Sequence, residues 1–299
     1  MDSELRKLFP VDRIKINEPM KDHTSFKVGG PADYMVTPEN VEELKKVIVF
    51  CRKKNLSFFI LGLGSNILVK DKGIRGVVVK LGNGFKNLTI DGEQITAEAG
   101  ISLSNLAKEA ARYGLSGLEF AEGIPGSLGG AVVMNAGAYG GEMKDVLTEV
   151  TAINHNSDIK KYTPDEMSMA YRKSIFQLNG DTVISAVIQL HKDKKESIQA
   201  QMDDYACRRR EKQPLEFPSA GSTFRRPPNH FVGPMIEELG LKGYQIGGAQ
   251  VSTKHAGFII NAGNATANDI LVLIAYIQKR VKERYGVDLQ TEIKVIGEE

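Results

Sequence analysis

Residues 123–140, GIPGSLGGAVVMNAGAYG, restrict this chain more than any other stretch. Gly123, Gly126, Gly129, Gly130, Gly137 and Gly140 are spaced largely by other small residues. Glycine loses more backbone freedom on folding than any other residue. Ordering such a run needs a compensating gain, from close backbone packing or from backbone contact with a ligand. A second glycine loop, GLGSN at residues 62–66, follows the apolar run SFFIL. In both loops glycine lets amide groups turn toward an anion, and Ser65, Asn66 and Ser127 add side-chain donors. Each loop alone is also readable as a tight turn. As a pair they outline a pyrophosphate cradle.

Two nucleotide signatures are missing. No G-x-G-x-x-G follows a strand, and the dipeptide Gly-Lys of a P-loop never occurs. The usual nicotinamide and P-loop architectures are therefore disfavoured. Lys plus Arg is 39 against 37 for Asp plus Glu, a net charge of +2, so nothing electrostatic points to nucleic acid. Cys51 and Cys207 have no partners at metal-ligand spacing and form no disulfide framework, so no metal site is expected. The N-terminus lacks a signal pattern, and the longest apolar run, 270–277, is far short of a membrane span. These features predict a reduced, cytoplasmic protein without membrane partners; they assign no oligomeric state.

Periodicity predicts a mixed α+β chain in at least two parts. TPENVEELKKVIVFCRKKN reads as a helix capped by Thr37, with Pro38 in its first position and Val41, Leu44, Ile48 and Cys51 on one face. KNLTIDGEQITAEAG reads as a hairpin about Asp91-Gly92 with a type I′ turn. SLSNLAKEAARYG is an amphipathic helix closed by Gly114, and EVTAINHNSDIKKYT is a second hairpin. The charged helix KKESIQAQMDDYACRRREK breaks at Gln213-Pro214 and marks a boundary. Near the C-terminus, Thr266 and Asp269 start a helix with a capping box; Ile270, Leu273, Ile274, Ile277 and Val281 form its core stripe, and Gly286 ends it. VDLQTEIKVI closes the chain as an alternating strand, with Glu292 opposite in face to Ile293.

HTSFKVGGPA, LGLGSNILV, EGIPGSLGGAVVMNAGAYG, YRKSIF, AGSTFRRP and LQTEIKVIG occur together, in order, along nearly the whole chain. In these motifs the chain resembles the UDP-N-acetylenolpyruvoylglucosamine reductase (MurB) family. The glycine loops alone would indicate only the wider group of flavoproteins like p-cresol methylhydroxylase and vanillyl-alcohol oxidase; the later Arg, Ser and Glu motifs narrow it. The resemblance implies an FAD-binding domain of that type at 1–195, built of two subdomains split near 82–90, and a substrate-binding α+β domain at 196–299. It implies noncovalent FAD, because Gly29-Gly30 precedes Pro31 and not a tethering histidine; His23, upstream, is expected to be structural. FAD is expected against Gly62, Gly64, Ser65, Asn66, Gly123, Ile124, Pro125, Gly126, Ser127, Gly129, Gly130, Gly137 and Tyr139.

The implied reaction sends hydride from NADPH to flavin N5, and then to the β-carbon of an enolpyruvyl ether on a UDP-sugar. The protein must align the reactants, stabilise charge flowing into a carboxylate and deliver one proton. By position in the family, Ser222 is the proton donor, Arg172 the carboxylate clamp and Glu292 a group that orients, relays a proton or balances charge. By residue pattern alone they read as a turn serine, a surface arginine and an exposed strand glutamate. Lys212, Lys242, Gln250, Lys254 and His255 are expected to contact the UDP-sugar, with His255 a hydrogen-bond donor. YRKSIFQLNGDTVIS passes from Arg172 to the next strand with little chain between, as in the shorter subtype that lacks a tyrosine-bearing insertion. Two further readings are a flavin oxidase and a noncatalytic nucleotide-binding regulator.

Overall fold

A computed structural model describes residues 2–298 of the protein. The chain divides into two compact units. One comprises Met1–Lys15, Tyr34–Leu63 and Gly76–Arg208; the other comprises Ile16–Asp33, Gly64–Arg75 and Arg209–Glu299. The helix Lys195–Lys212 starts in the first and ends in the second.

The first unit is built on a five-stranded antiparallel sheet ordered Ile159–Tyr162, Leu147–Ile153, Thr182–Gln189, Gln94–Glu98, Leu88–Asp91. Both expected hairpins lie in it. The first turns one residue later than expected. Asp91 pairs with Gln94, so Gly92 and Glu93 occupy the loop. Gly92 has φ 59° and Glu93 is not left-handed, which is the pattern of a type II′ turn and not type I′. The helix Leu128–Met134 packs on the central strand Thr182–Gln189. Gly129 permits close approach to the end of the neighbouring strand Gln94–Glu98: a Cβ there would come within 2.9 Å of the Ala99 Cβ. The helix Leu103–Arg112 buries Leu103, Leu106, Ala107, Ala110 and Ala111, a single apolar face. Ser102 caps it, and Gly114 follows its end at φ 67°.

In the same unit Phe58–Leu61 pairs in parallel with residues 77–80, with Phe58 opposite Val77 and Leu61 opposite Lys80. The helix before them, Val41–Lys53, buries Leu44, Val47, Ile48 and Cys51. Its cap is Asn40 and not Thr37: Asn40 Oδ1 accepts from Glu43 N at 2.9 Å, and Pro38 lies ahead of the cap. An asparagine one residue before the first helical turn outcompetes an earlier threonine because only it reaches the third amide. Burial pushes the Cys51 thiol up to about 11, so it is no nucleophile at neutral pH.

The second unit is organised by the helix Ala267–Tyr285. Its capping box and core stripe are as expected, and Gly286 ends it at φ 70°. An additional cap comes from far away in sequence. The Asp71 carboxylate accepts from Ala267 N at 2.8 Å and Asn268 N at 2.9 Å, a charge favoured at a helix N-terminus. Around this helix lie a three-stranded antiparallel sheet, Gln245–Ile246, Ala249–Val251 and Ile259–Asn261, and a parallel pair, Ile67–Val69 with Lys294–Ile296. Phe26, Val28 and Leu68 join Ile270, Leu273 and Ile293 in one core. The closing segment is not one continuous strand. Thr291 bridges Phe224, whereas Lys294–Ile296 pair with Ile67–Val69. The chain changes partner there, and Glu292 sits at the change.

Candidate active site

The two glycine loops meet inside the first unit. A methyl group added at Gly62 would collide with Ser127 Oγ, so that hydroxyl would have to shift to admit any side chain at 62. Ser127, 3% exposed, is the N-cap of Leu128–Met134 and accepts weakly from Gly130 N at 3.4 Å. The first two helical amides are committed: Leu128 N donates to Ile101 O at 2.9 Å and Gly129 N to Ala99 O at 2.8 Å. Ile124 N donates to Ala121 O at 3.1 Å. Among the described residues, Gly126 N and Ser127 N donate to no protein acceptor. What this loop can offer an anion is therefore its segment before the helix, not the helix end. Gly123 is left-handed at φ 69°, Pro125 is exposed and Gly130 is exposed.

Gly62→Ala is expected to weaken FAD binding by at least about tenfold, roughly 1.4 kcal/mol. Titration of apoprotein by flavin fluorescence measures it, and adding Ser127→Gly should restore affinity. An unchanged dissociation constant for Gly62→Ala would mean the contact between Gly62 and Ser127 is irrelevant to the cofactor.

The rest of the GLGSN loop belongs to the second unit. Gly64 has φ 65°, and a Cβ there would strike His23 O. His23 itself contacts Glu18 at 2.7 Å, a structural role. Ser65 is half-buried. Asn66 is tied to the acid segment: its carbonyl accepts from Lys294 N at 2.9 Å, and its Nδ2 donates to Glu292 O at 3.3 Å.

Gly137 and Tyr139 belong to a minimal hairpin in the first unit, Gly137–Ala138 with Gly141–Glu142. Its loop, Tyr139 and Gly140, has φ 54° and 93°, a type I′ turn. Tyrosine is bulky for that position; its ring stacks on Tyr205 at 4.4 Å and its hydroxyl donates to Tyr205 O at 3.2 Å. Arg172 lies in a second tight turn. Ala170 and Lys173 exchange backbone hydrogen bonds around Tyr171 and Arg172, and Arg172 has φ 55°. That conformation suits glycine and strains a residue that carries a Cβ by about 1–2 kcal/mol. Its guanidinium, half-buried, donates from Nη2 to Gly137 O at 3.1 Å.

In the second unit Ser222 and Glu292 are held by the residue between them in the hydrogen-bond network, Thr223. Thr223 is fully buried; its N donates to Gly257 O at 2.9 Å, its Oγ1 accepts from Ile259 N at 3.1 Å and its carbonyl accepts from Glu292 N at 2.8 Å. With Thr223 facing in, Ser222 faces out and is exposed, and its backbone bridges Phe258. Glu292 is half-buried. Burial, and then the neighbouring Arg225 charge, lower the Lys294 ammonium below its ordinary range. Arg225 and Lys294 therefore concentrate positive charge on this segment, which sequence reading missed.

The expected UDP contacts also lie in the second unit. Lys242 pairs with Glu237 at 2.7 Å and Lys254 with Glu216 at 3.6 Å. Gln250 donates to Gln245 Oε1 at 3.1 Å, and Lys212 is exposed at the end of its helix. Burial lowers the His255 pKa, and its Nδ1 accepts from Gly257 N at 3.0 Å. At neutral pH it is a neutral imidazole carrying its proton on Nε2, a donor. Among the described residues no group of His, Cys, Asp and Glu is placed to hold a metal. No described helix is long and apolar enough to cross a membrane.

A family model described as an FAD binding domain matches residues 32–163, and one described as the C-terminal domain of UDP-N-acetylenolpyruvoylglucosamine reductase matches residues 213–296. A UDP-N-acetylenolpyruvoylglucosamine reductase of Syntrophomonas wolfei is 63% identical over 299 residues, 100% of both chains. The chain belongs to the UDP-N-acetylenolpyruvoylglucosamine reductase family. A second reductase, from Caldanaerobacter subterraneus, is 53% identical over 99% of this chain and 97% of its own. The crystal structure of the reductase from Thermus caldophilus superposes with a TM-score of 0.81 at 39% identity, covering 94% of this chain and 97% of that one. The reductase fold thus extends over both units, and FAD is the cofactor.

Proposed function

We infer that the protein uses NADPH to reduce UDP-N-acetyl-3-O-(1-carboxyvinyl)-glucosamine to UDP-N-acetylmuramate, a peptidoglycan precursor. The observation that carries this reading is identity of 63% along the full length of a reductase of that name, with Arg172, Ser222 and Glu292 all present in their motifs. Bound FAD supplies hydride transfer, accepting from NADPH and donating to the enolpyruvyl β-carbon. The loop amides of Gly126 and Ser127 suit a pyrophosphate, as does the bare backbone of Gly62 beside them. The limb of Gly64, Ser65 and Asn66 is assigned to the same cofactor. Of the remaining positions expected against FAD, Gly123, Gly129, Gly130 and Gly137 keep the backbone thin, and Ile124, Pro125 and Tyr139 are assigned to flank the cofactor.

Arg172 binds the enolpyruvyl carboxylate through its planar fork and supports the charge that builds there. Ser222 Oγ gives its proton to the α-carbon; a hydroxyl is a weak acid, but an enediolate-like carbon is basic enough to take it. Glu292 orients the reacting group beside Ser222. Lys212, Lys242, Gln250, Lys254 and the Nε2–H of His255 are assigned to the UDP moiety, and residues 1–195 and 196–299 to cofactor and substrate binding respectively. We assign the reaction to the cytoplasm, because two cysteines without a disulfide framework suit a reducing compartment.

Anaerobic stopped-flow absorbance separates the two half-reactions. The purified protein is expected to be yellow, to bleach with NADPH and to recolour with the enolpyruvyl substrate. A folded protein that binds no FAD would sink this reading. Rapid recolouring by oxygen with no response to the enolpyruvyl substrate would favour an oxidase.

A further inference from the structure

The strained turn that carries Arg172 is fastened to the far end of the helix that starts at the glycine loop. Leu128–Met134 ends at Asn135, a left-handed residue with φ 43° and no exposed surface. Every polar atom of the Asn135 side chain is engaged. Its Nδ2 donates to Ala170 O at 3.0 Å and to Glu142 Oε2 at 2.8 Å, and its Oδ1 accepts from Lys144 N at 2.9 Å. Ala170 is the first residue of the Arg172 turn. Two residues before Asn135, Val133 O accepts from Ser174 Oγ and Gln177 Nε2, both at 2.7 Å, and Gln177 Nε2 also donates to Arg172 O at 3.1 Å. The whole turn is thus bonded to residues 133–137.

We propose that Asn135 is a positioning residue for Arg172: its buried carboxamide locks the Arg172 turn to the helix that begins at Ser127, and so sets the guanidinium relative to the glycine loop. Gln177 supports it from the other side of the turn. An asparagine is needed in place of the more usual glycine because the left-handed cap must also carry two donors and an acceptor inward. The proposal rests on the reading of Arg172 as the carboxylate clamp.

Asn135→Gly keeps the left-handed backbone and removes the three bonds. In the FAD-loaded protein it is expected to leave FAD affinity and NADPH bleaching within about twofold of wild type. It should slow the enolpyruvyl half-reaction at least about tenfold and weaken enolpyruvyl-substrate binding by calorimetry. In an Arg172→Ala background it should add less than about twofold, because the group it positions is gone. Gln177→Met, which keeps length and loses the donor, should show the same selective loss more mildly and serves if Asn135→Gly does not fold. Equal slowing of both half-reactions, full multiplication with Arg172→Ala, or no effect on the enolpyruvyl step would overturn the proposal. If Arg172→Ala itself leaves that step intact, the clamp reading fails first and this inference falls with it.

Discussion

Ser222→Ala is expected to bleach with NADPH at the wild-type rate and then recolour with enolpyruvyl substrate about 10²–10⁴-fold more slowly, the usual contribution of a positioned general acid. The side chain is exposed, so its loss leaves no buried cavity, whereas its backbone neighbour Thr223 carries the structural bonds. Stability should therefore change by only a few tenths of a kcal/mol, as at other surface positions. Thermal unfolding checks the second point and stopped-flow absorbance the first. Recolouring at the wild-type rate would remove Ser222 from the proton-delivery role. Ser222→Cys, with a more acidic group of similar size, should recover part of the rate.

Arg172→Ala should leave NADPH bleaching unchanged and lower kcat/KM for the enolpyruvyl substrate about 10²-fold, since a hydrogen bond to a charged group is worth about 1.5–3 kcal/mol and the fork can make two. Arg172→Lys should recover little, because an ammonium cannot reproduce the planar pair of donors. Arg172→Gly provides a control on folding. It relieves the left-handed strain at φ 55°, so it should unfold no earlier than Arg172→Ala while losing as much activity. Steady-state kinetics with either variant showing normal turnover would take Arg172 out of the site.

What the sequence made legible was local. The capping box of Thr266 and Asp269, the stripe from Ile270 to Val281 and the closing Gly286 all follow from interactions four residues apart or fewer, and all are present. The hairpins were equally plain, although the pairing of Asp91 with Gln94 moved the turn by one residue, which no residue preference at Asp91-Gly92 decides. Distant partners left no trace in periodicity. Nothing near Asp71 announces that it caps a helix at Ala267, and nothing in VDLQTEIKVI shows that the segment changes partner at Glu292. Of the candidate site, residue identity was readable from motifs. The supports were not: Thr223 looks like one more turn residue, and Asn135 looks like part of a small-residue run. The one signal for Asn135 was an asparagine directly after the apolar residues of a short helix, where a left-handed cap belongs.

The pairing of Ile67–Val69 with Lys294–Ile296 also sets a clock. During synthesis the second of these strands emerges more than two hundred residues after the first. At about 5–20 residues per second the interval is on the order of ten to fifty seconds. For that time Leu68 has no finished core to enter, and the limb of Gly64 to Asn66 has no Lys294 amide to hold it. A nascent chain of this protein therefore carries an unpaired apolar strand beside the Gly64–Asn66 limb until Lys294–Ile296 have been made. The C-terminal third, correspondingly, cannot be cut away as a portable module, because Phe26, Val28 and Leu68 complete its core and Asp71 caps its long helix.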